Sequence, residues 1–216
     1  MQLRATRGLV PGLHALGVPE VPVYALETGS SWVLVEGGVT ATASLVLEQL
    51  RALVGDLNRV SHWFITHAHY DHCGLLPHLV PQLPKVRVFV PEAALGNFQR
   101  HTAQAAIDSM NRTVSSAWWL QHGPNERESA CRRPWSELEL EPLAPGARLE
   151  LEGGLWLRAL AADGHCPAQL CFFEETRGWA FSGDALGEPL AEEAWCPLVF
   201  HDAVAYRDTL RRLATL

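Results

Sequence analysis

The stretch Thr66-His67-Ala68-His69-Tyr70-Asp71-His72-Cys73-Gly74 packs three imidazoles and a carboxylate into six consecutive residues. At this chain's own His and Asp frequencies, the pattern H-x-H-x-D-H arises by accident in roughly one chain in a thousand. Neutral imidazole and carboxylate are donors that zinc, iron and manganese accept. A lone histidine on a polar loop calls for no such reading, whereas four ligand-type side chains in one short peptide do. On an extended or tightly turned loop, His67 and His69 point one way while Asp71 and His72 reach toward a second position. One peptide then serves two adjacent ions, which sit about 3.5 to 4 Å apart in two-metal sites.

Working outward, VSHWFIT (60–66) is nearly apolar on both faces, the pattern of a strand covered by helices. A short helix around Leu75 to Val80 and the strand VRVFV (86–90) follow, giving strand, ligand loop, helix, strand. Upstream, VPVYALE (21–27) and SWVLVE (31–36), joined by a turn at Thr28 to Ser30, read as a hairpin or neighbouring strands. Thr40 is then the expected N-cap of an amphipathic helix with Leu47, Leu50 and Val54 on its apolar stripe.

Downstream, residues 91–122 predict helices and 123–147 a polar excursion or linker. The strands RLELE (148–152), LWLRALA (155–161), QLCFFEE (169–175) and GWAFSGD (178–184) come next, and an amphipathic helix capped by Asp202 closes the chain. This order of elements predicts an α/β (α+β) fold, a four-layer αββα sandwich, formed as a single domain over 1–216.

Composition bounds the function. With 48% hydrophobic and 19% charged residues, the chain has the makeup of a folding globular domain rather than a disordered one. Its formal net charge of −7 and lack of any Lys/Arg run argue against nucleic acid as a partner. Pro11 and nearby glycines interrupt the start before a signal-peptide h-region forms, and no window approaches a membrane span. A cytoplasmic protein with no membrane partner is expected. Five cysteines without C-x-x-C spacing predict thiols rather than a disulfide framework; Cys73 and Cys166, each beside a histidine of interest, are the two exposed to oxidation if accessible.

The H-x-H-x-D-H segment resembles the signature of the metallo-β-lactamase superfamily. Gly164-His165-Cys166-Pro167 is similar to that family's G-H-[ST]-P turn, and Phe181-Ser182-Gly183-Asp184 to its [FL]-x-G-D motif. The resemblance implies a metallo-β-lactamase sandwich holding one or two divalent ions, zinc or iron, with manganese a third choice. It assigns His67, His69, His165 and Asp184 to the first ion and Asp71, His72 and Asp184 to the second. A last family histidine, beyond the helix and strand after the bridging aspartate, has no match before Leu216. The expectation is therefore a C-terminally truncated domain lacking the usual last strand and helices, with His201 as a weak substitute.

VPVYALETGSSWVLVEGG, HWFITHAHYDHCGLLPHLVPQLP, FSGDALGE and PLVFHDAVAY together resemble the PqsE-like thioesterases of alkylquinolone quorum-signal biosynthesis. That likeness implies a small-molecule substrate, an aromatic β-ketoacyl thioester of coenzyme A such as 2-aminobenzoylacetyl-CoA. Asp71 and Asp184 would be the catalytic carboxylates, and Glu188, Trp195 and Phe200 candidate substrate contacts. Glu36 stands where most of the superfamily has aspartate. Competing readings are a glyoxalase II-like, lactone or ester hydrolase, di-iron redox chemistry, and a non-catalytic metal-binding regulator of quorum sensing with a protein partner.

Overall fold

Residues 7–122, 132–191 and 194–216 are described by the computed structural model. The chain enters as an antiparallel meander of β1 (Arg7–Val10), β2 (Leu13–Leu16), β3 (Val23–Thr28) and β4 (Ser31–Val35). Parallel pairing then takes over. Helix α1 (Ala43–Val54) carries the chain to β5 (Val60–Phe64), α2 (Tyr70–Cys73) and α3 (Leu76–Leu79) lead to β6 (Arg87–Pro91), and α4 (Leu95–Gln99) with α5 (His101–His122) lead to β7 (Leu140–Leu143). Each of these strands lies parallel to its predecessor, as helical crossovers require. The sheet order is β1-β2-β3-β4-β5-β6-β7.

A second, antiparallel sheet is built from β8 (Arg148–Leu151), β9 (Leu155–Ala161), β10 (Leu170–Glu174) and β11 (Trp179–Phe181), in the order β11-β10-β9-β8. A short ribbon of β12 (Glu188–Ala191) and β13 (Ala194–Cys196) precedes the last helix, α6 (Ala203–Leu213).

Three apolar clusters define the layers. Leu26, Val33, Val35, Phe64 and Phe89 from the large sheet meet Leu157, Phe172 and Phe181 from the small one. At their centre the Phe64 ring lies 5.1 Å from Phe89 and 5.2 Å from Phe172. On the opposite face of the large sheet, Leu34, Trp63 and Val88 pack against Val46, Leu50, Leu76 and Phe98 of the helices. Behind the small sheet, Leu213 of α6 and Leu160 pack against a buried cluster of Ala162, Cys171 and Ala185. Helices, sheet, sheet, helix is the αββα order expected. Each such side chain, fully buried, stabilises the fold by about 1.5–3 kcal/mol relative to leaving it in water.

Several local expectations change. The segment 123–147 is no linker where it is described. Trp135 is buried, and Leu140–Leu143 is the edge strand β7; residues 123–131 lie outside the described residues. Pro142 disguised that strand, yet an edge tolerates proline because one row of its backbone groups pairs with nothing in the sheet. Pro11-Gly12 turns the β1–β2 hairpin, with Val10 opposite Leu13. Thr40 is not the N-cap of α1: a 3-10 turn (Thr40–Thr42) comes first, and the Thr40 hydroxyl donates to Gly74 O at 3.2 Å. Asp202 does cap α6, accepting from the Val204 and Ala205 amides. Among the described residues no helix is long and apolar enough to cross a membrane.

Candidate metal centre

Three loops at one end of the facing sheets bring the chemistry together. The first leaves β5, carries His67 and His69 and runs into α2 with Asp71 and His72; the second joins β9 to β10 and carries His165 and Cys166; the third follows β11 and carries Asp184. Thr66 ties them to one another. Its carbonyl accepts from the Leu170 amide at 2.9 Å, and its hydroxyl donates to Glu36 Oε1 at 2.9 Å. A Cβ on Gly183 would approach that hydroxyl to 2.7 Å, so only glycine lets the Asp184 loop sit this close, and its φ of +51° suits glycine as well. Gln169 Nε2 closes the triangle by donating to Ser182 O at 2.8 Å.

The ligand loop is also held from the helix side. The buried Asn111 of α5 accepts from the Thr40 amide at 2.8 Å and donates to Tyr70 O at 3.2 Å. Gly164 lets α6 dock: its carbonyl accepts from the His201 and Asp202 amides. A Cβ there would lie 2.3 Å from Tyr206 Cα.

These constraints converge His67, His69, His165 and Cys166 into one group and His67, His72 and Asp184 into another, the donor atoms in each lying within 4.8 Å of one another. His165 Nε2 stands 3.0 Å from His69 Nδ1 and 3.1 Å from Asp184 Oδ2. Asp184 Oδ1 is 3.1 Å from His72 Nε2, and Oδ2 is 3.9 Å from His67 Nε2. Asp71 joins neither group but stands beside them, its Oδ2 3.8 Å from His72 Nε2.

The far nitrogens are held as well. His165 Nδ1 donates to Leu198 O at 2.7 Å, which leaves Nε2 with its lone pair facing the cluster. His72 Nδ1 meets Glu36 Oε2 at 3.0 Å. Glu36 is buried and held at φ +71°, an uncommon conformation for a residue with a side chain. In the sequence Glu36 stands out only as a departure from the superfamily pattern. Its partner is 36 positions away, so no local spacing announces the contact.

Electrostatics follow from this packing. Burial first, then the neighbouring His72, His69 and His165, hold His67 well below the usual imidazole range, and burial and His165 lower His69. For His72 burial also works downward, but the Glu36 and Asp184 carboxylates outweigh it and raise the imidazole well above its ordinary value. Asp184 is lowered: burial opposes its ionisation, and the hydrogen bond and charge of His72 overcome that. Burial, followed by the Asp184 charge, pushes the Cys166 thiol up to about 12. Cys73 is fully buried with its thiol donating to His69 O, which shields it from the oxidation the sequence left open.

The donor set fits a divalent cation. His67 Nε2 is buried without a hydrogen-bond partner among the described residues, an expensive state for a polar atom unless something binds it. Beside the cluster opens a cavity of about 690 Å³, lined by Asp71, His72, Asp184, Glu36, Glu20 and Glu188 and by Tyr24, Trp179, Phe181 and Leu198.

Glu188 is thus at the cavity. Trp195 is not among its lining residues. It is half-exposed on β13, donating from Nε1 to Leu186 O, and Phe200 is 73% exposed with its ring 5.1 Å from that of His165. Neither aromatic is a core residue. His201 is exposed and belongs to neither donor group.

Comparison with known proteins extends the picture. A sequence profile of the Metallo-beta-lactamase superfamily matches residues 16–216. A metallo-beta-lactamase family protein from Thermus thermophilus superposes with a TM-score of 0.65 at 27% identity, over 96% of this chain and 71% of that one. An archaeal metallo-beta-lactamase superfamily protein from Sulfolobus tokodaii gives 0.66 at 19% identity, over 93% and 74%. The native FEZ-1 metallo-beta-lactamase from Legionella gormanii gives 0.63 at 17% identity, over 95% and 73%.

Proposed function

Because the chain belongs to the metallo-beta-lactamase superfamily, whose members are generally metal-dependent hydrolases, we propose that it hydrolyses a small-molecule thioester at a divalent-metal centre. His67, His69 and His165 with Asp184 would hold one ion, and His72 and Asp71 with the same Asp184 a second. The observation that carries this reading is the buried, unpartnered His67 Nε2 facing donors from two other loops. Imidazole and carboxylate suit zinc and iron equally, with manganese the third choice.

What a divalent ion supplies when bound is Lewis acidity, which stabilises charge at a carbonyl oxygen and lowers the pKa of water in its reach to about 7. The chain's own groups do the rest. Asp184 faces both donor groups and orients the attacking water, while Asp71, beside His72, takes up its proton. A thiolate leaving group, with a pKa of about 8.5, departs without a strong acid to protonate it. Of the lining residues only His72 is basic, and it is tied to Glu36 and Asp184, which favours a thioester over an amide.

Tyr24, Trp179 and Phe181 give the acyl group an aromatic wall. Together with the likeness to the PqsE-like thioesterases, that wall supports an aromatic β-ketoacyl-CoA, 2-aminobenzoylacetyl-CoA or a close analogue, as substrate in alkylquinolone signal biosynthesis. Glu188 at the cavity rim is the polar substrate contact of this reading.

The test pairs metal content with turnover of an aroylacetyl thioester, a glutathione thioester and a lactone, before and after chelation. Aroylacetyl thioester hydrolysis that disappears on chelation and returns with zinc or iron is the expected result. Preference for the glutathione thioester or the lactone would overturn the substrate assignment. Bound metal with no turnover of any substrate would replace the enzyme with a metal-binding regulatory protein.

A further inference from the structure

The turn that delivers His165 also delivers a sulfur. Cys166 is 8% exposed, and its Sγ belongs to the same group of mutually close donors as His67, His69 and His165. Its hydrogen bond to Gln169 Oε1 spans 4.0 Å, a loose contact that leaves the sulfur little committed elsewhere. The second, independent sign of a ligand is His67 Nε2, buried, unpartnered and part of the same group. Asp184 is grouped with His67 and His72, and its Oδ2 also stands 3.1 Å from His165 Nε2.

We propose that Cys166 Sγ is a further protein donor to the ion held by His67, His69 and His165, so that this position offers one sulfur beside its three nitrogens. The inference rests on the metal-centre reading above and sharpens it. Ligation breaks the S–H bond, forms a sulfur–metal bond and releases one proton to solvent, with no change of oxidation state. Imidazole nitrogen and thiolate sulfur are donors that zinc and cobalt accept, and a soft sulfur would select them and cadmium over manganese or magnesium. The alternative of serine or threonine at this position, as in the family's G-H-[ST]-P turn, would not discriminate in this way.

The experiment strips the whole chain of metal, reloads it with cobalt(II) and records the absorption spectrum. The native protein should show visible d–d bands together with a sulfur-to-cobalt charge-transfer band in the near ultraviolet. Cys166→Ser should keep the d–d bands and lose the charge-transfer band, whereas Cys73→Ser should keep both. Zinc and cadmium affinity should fall about tenfold or more in Cys166→Ser while manganese affinity stays within about twofold. Cobalt d–d bands without sulfur charge transfer in the native protein would overturn the sulfur assignment and leave the histidine centre standing. A charge-transfer band that survives Cys166→Ser would overturn it too. No cobalt bound at all would overturn both. Should Cys166→Ser fail to fold, X-ray absorption of the native cadmium form decides: one sulfur among the atoms bound to cadmium supports the proposal, and none refutes it.

Discussion

Replacing Glu36 with alanine isolates the group that orients His72. The two side-chain oxygens of Glu36 have separate tasks, Oε1 accepting from Thr66 Oγ1 at 2.9 Å and Oε2 facing His72 Nδ1 at 3.0 Å. Its backbone is engaged independently, with its amide donating to Phe64 O at 3.0 Å and its carbonyl accepting from Trp63 Nε1 at 2.8 Å. The substitution therefore removes the carboxylate and leaves the strand junction intact. A carboxylate on the far nitrogen of a ligating imidazole is worth about 10–100-fold in metal affinity, or about 1.4–2.8 kcal/mol. Fold stability should change less. The lost charge-assisted hydrogen bond, worth about 1.5–3 kcal/mol, is offset by no longer burying a carboxylate. Thr66 Oγ1 also retains His67 Nδ1 at 3.1 Å. The expected result is a metal affinity lower by about 30-fold in competition with a chromophoric chelator, and a urea midpoint for the metal-free protein that moves little. Glu36→Gln should fall between. Unchanged metal affinity in a folded Glu36→Ala protein would refute the claim that this carboxylate fixes the imidazole.

Asp184→Asn keeps the shape of the side chain facing both donor groups and removes its charge, so metal-dependent turnover should drop by about two orders of magnitude or more in a steady-state assay. Gly164→Ala forces a Cβ into the backbone of Tyr206 and should destabilise the protein by about 3 kcal/mol, read from denaturant unfolding, while loosening His165. His78 sits buried in α3 with its pKa lowered to about 4, first by burial and then by Arg132. Between the unfolded value of 6.5 and about 4 the unfolded chain takes up a proton that the folded chain refuses. The stability His78 permits is thus complete above pH 6.5 and lost as pH falls toward 4, at up to about 1.4 kcal/mol per unit. His78→Gln should flatten that part of the stability–pH curve, measured by urea unfolding at successive pH values.

The elements that position the centre differ in how far the sequence discloses them. The histidine loop was legible because its donors lie within one peptide, directly after an apolar strand whose burial on both faces shows in VSHWFIT. The four layers followed from the order of strands and helices. Contacts made across the fold were not legible. Glu36 reaches His72 only because β4 and β5 run parallel in a register that sets Val35 beside Phe64. The sulfur of Cys166 acquires meaning only once the β9–β10 turn folds over His67 and His69. Nor does sequence separate a buried aromatic from an exposed one: Trp63 is fully buried, whereas Trp195 and Phe200 stand in the open. Strands that contain or adjoin a proline or glycine, β1, β2 and β7, hide behind residues that elsewhere break order.

The central claim is that histidines from two loops and a carboxylate from a third bind a common cation. Anomalous X-ray diffraction from crystals of the zinc-loaded protein tests it most directly. The predicted result is a peak at about 2.0–2.1 Å from His67 Nε2, His69 Nδ1 and His165 Nε2. Zinc bound elsewhere on the chain, with those three nitrogens left bare at full loading, would contradict it.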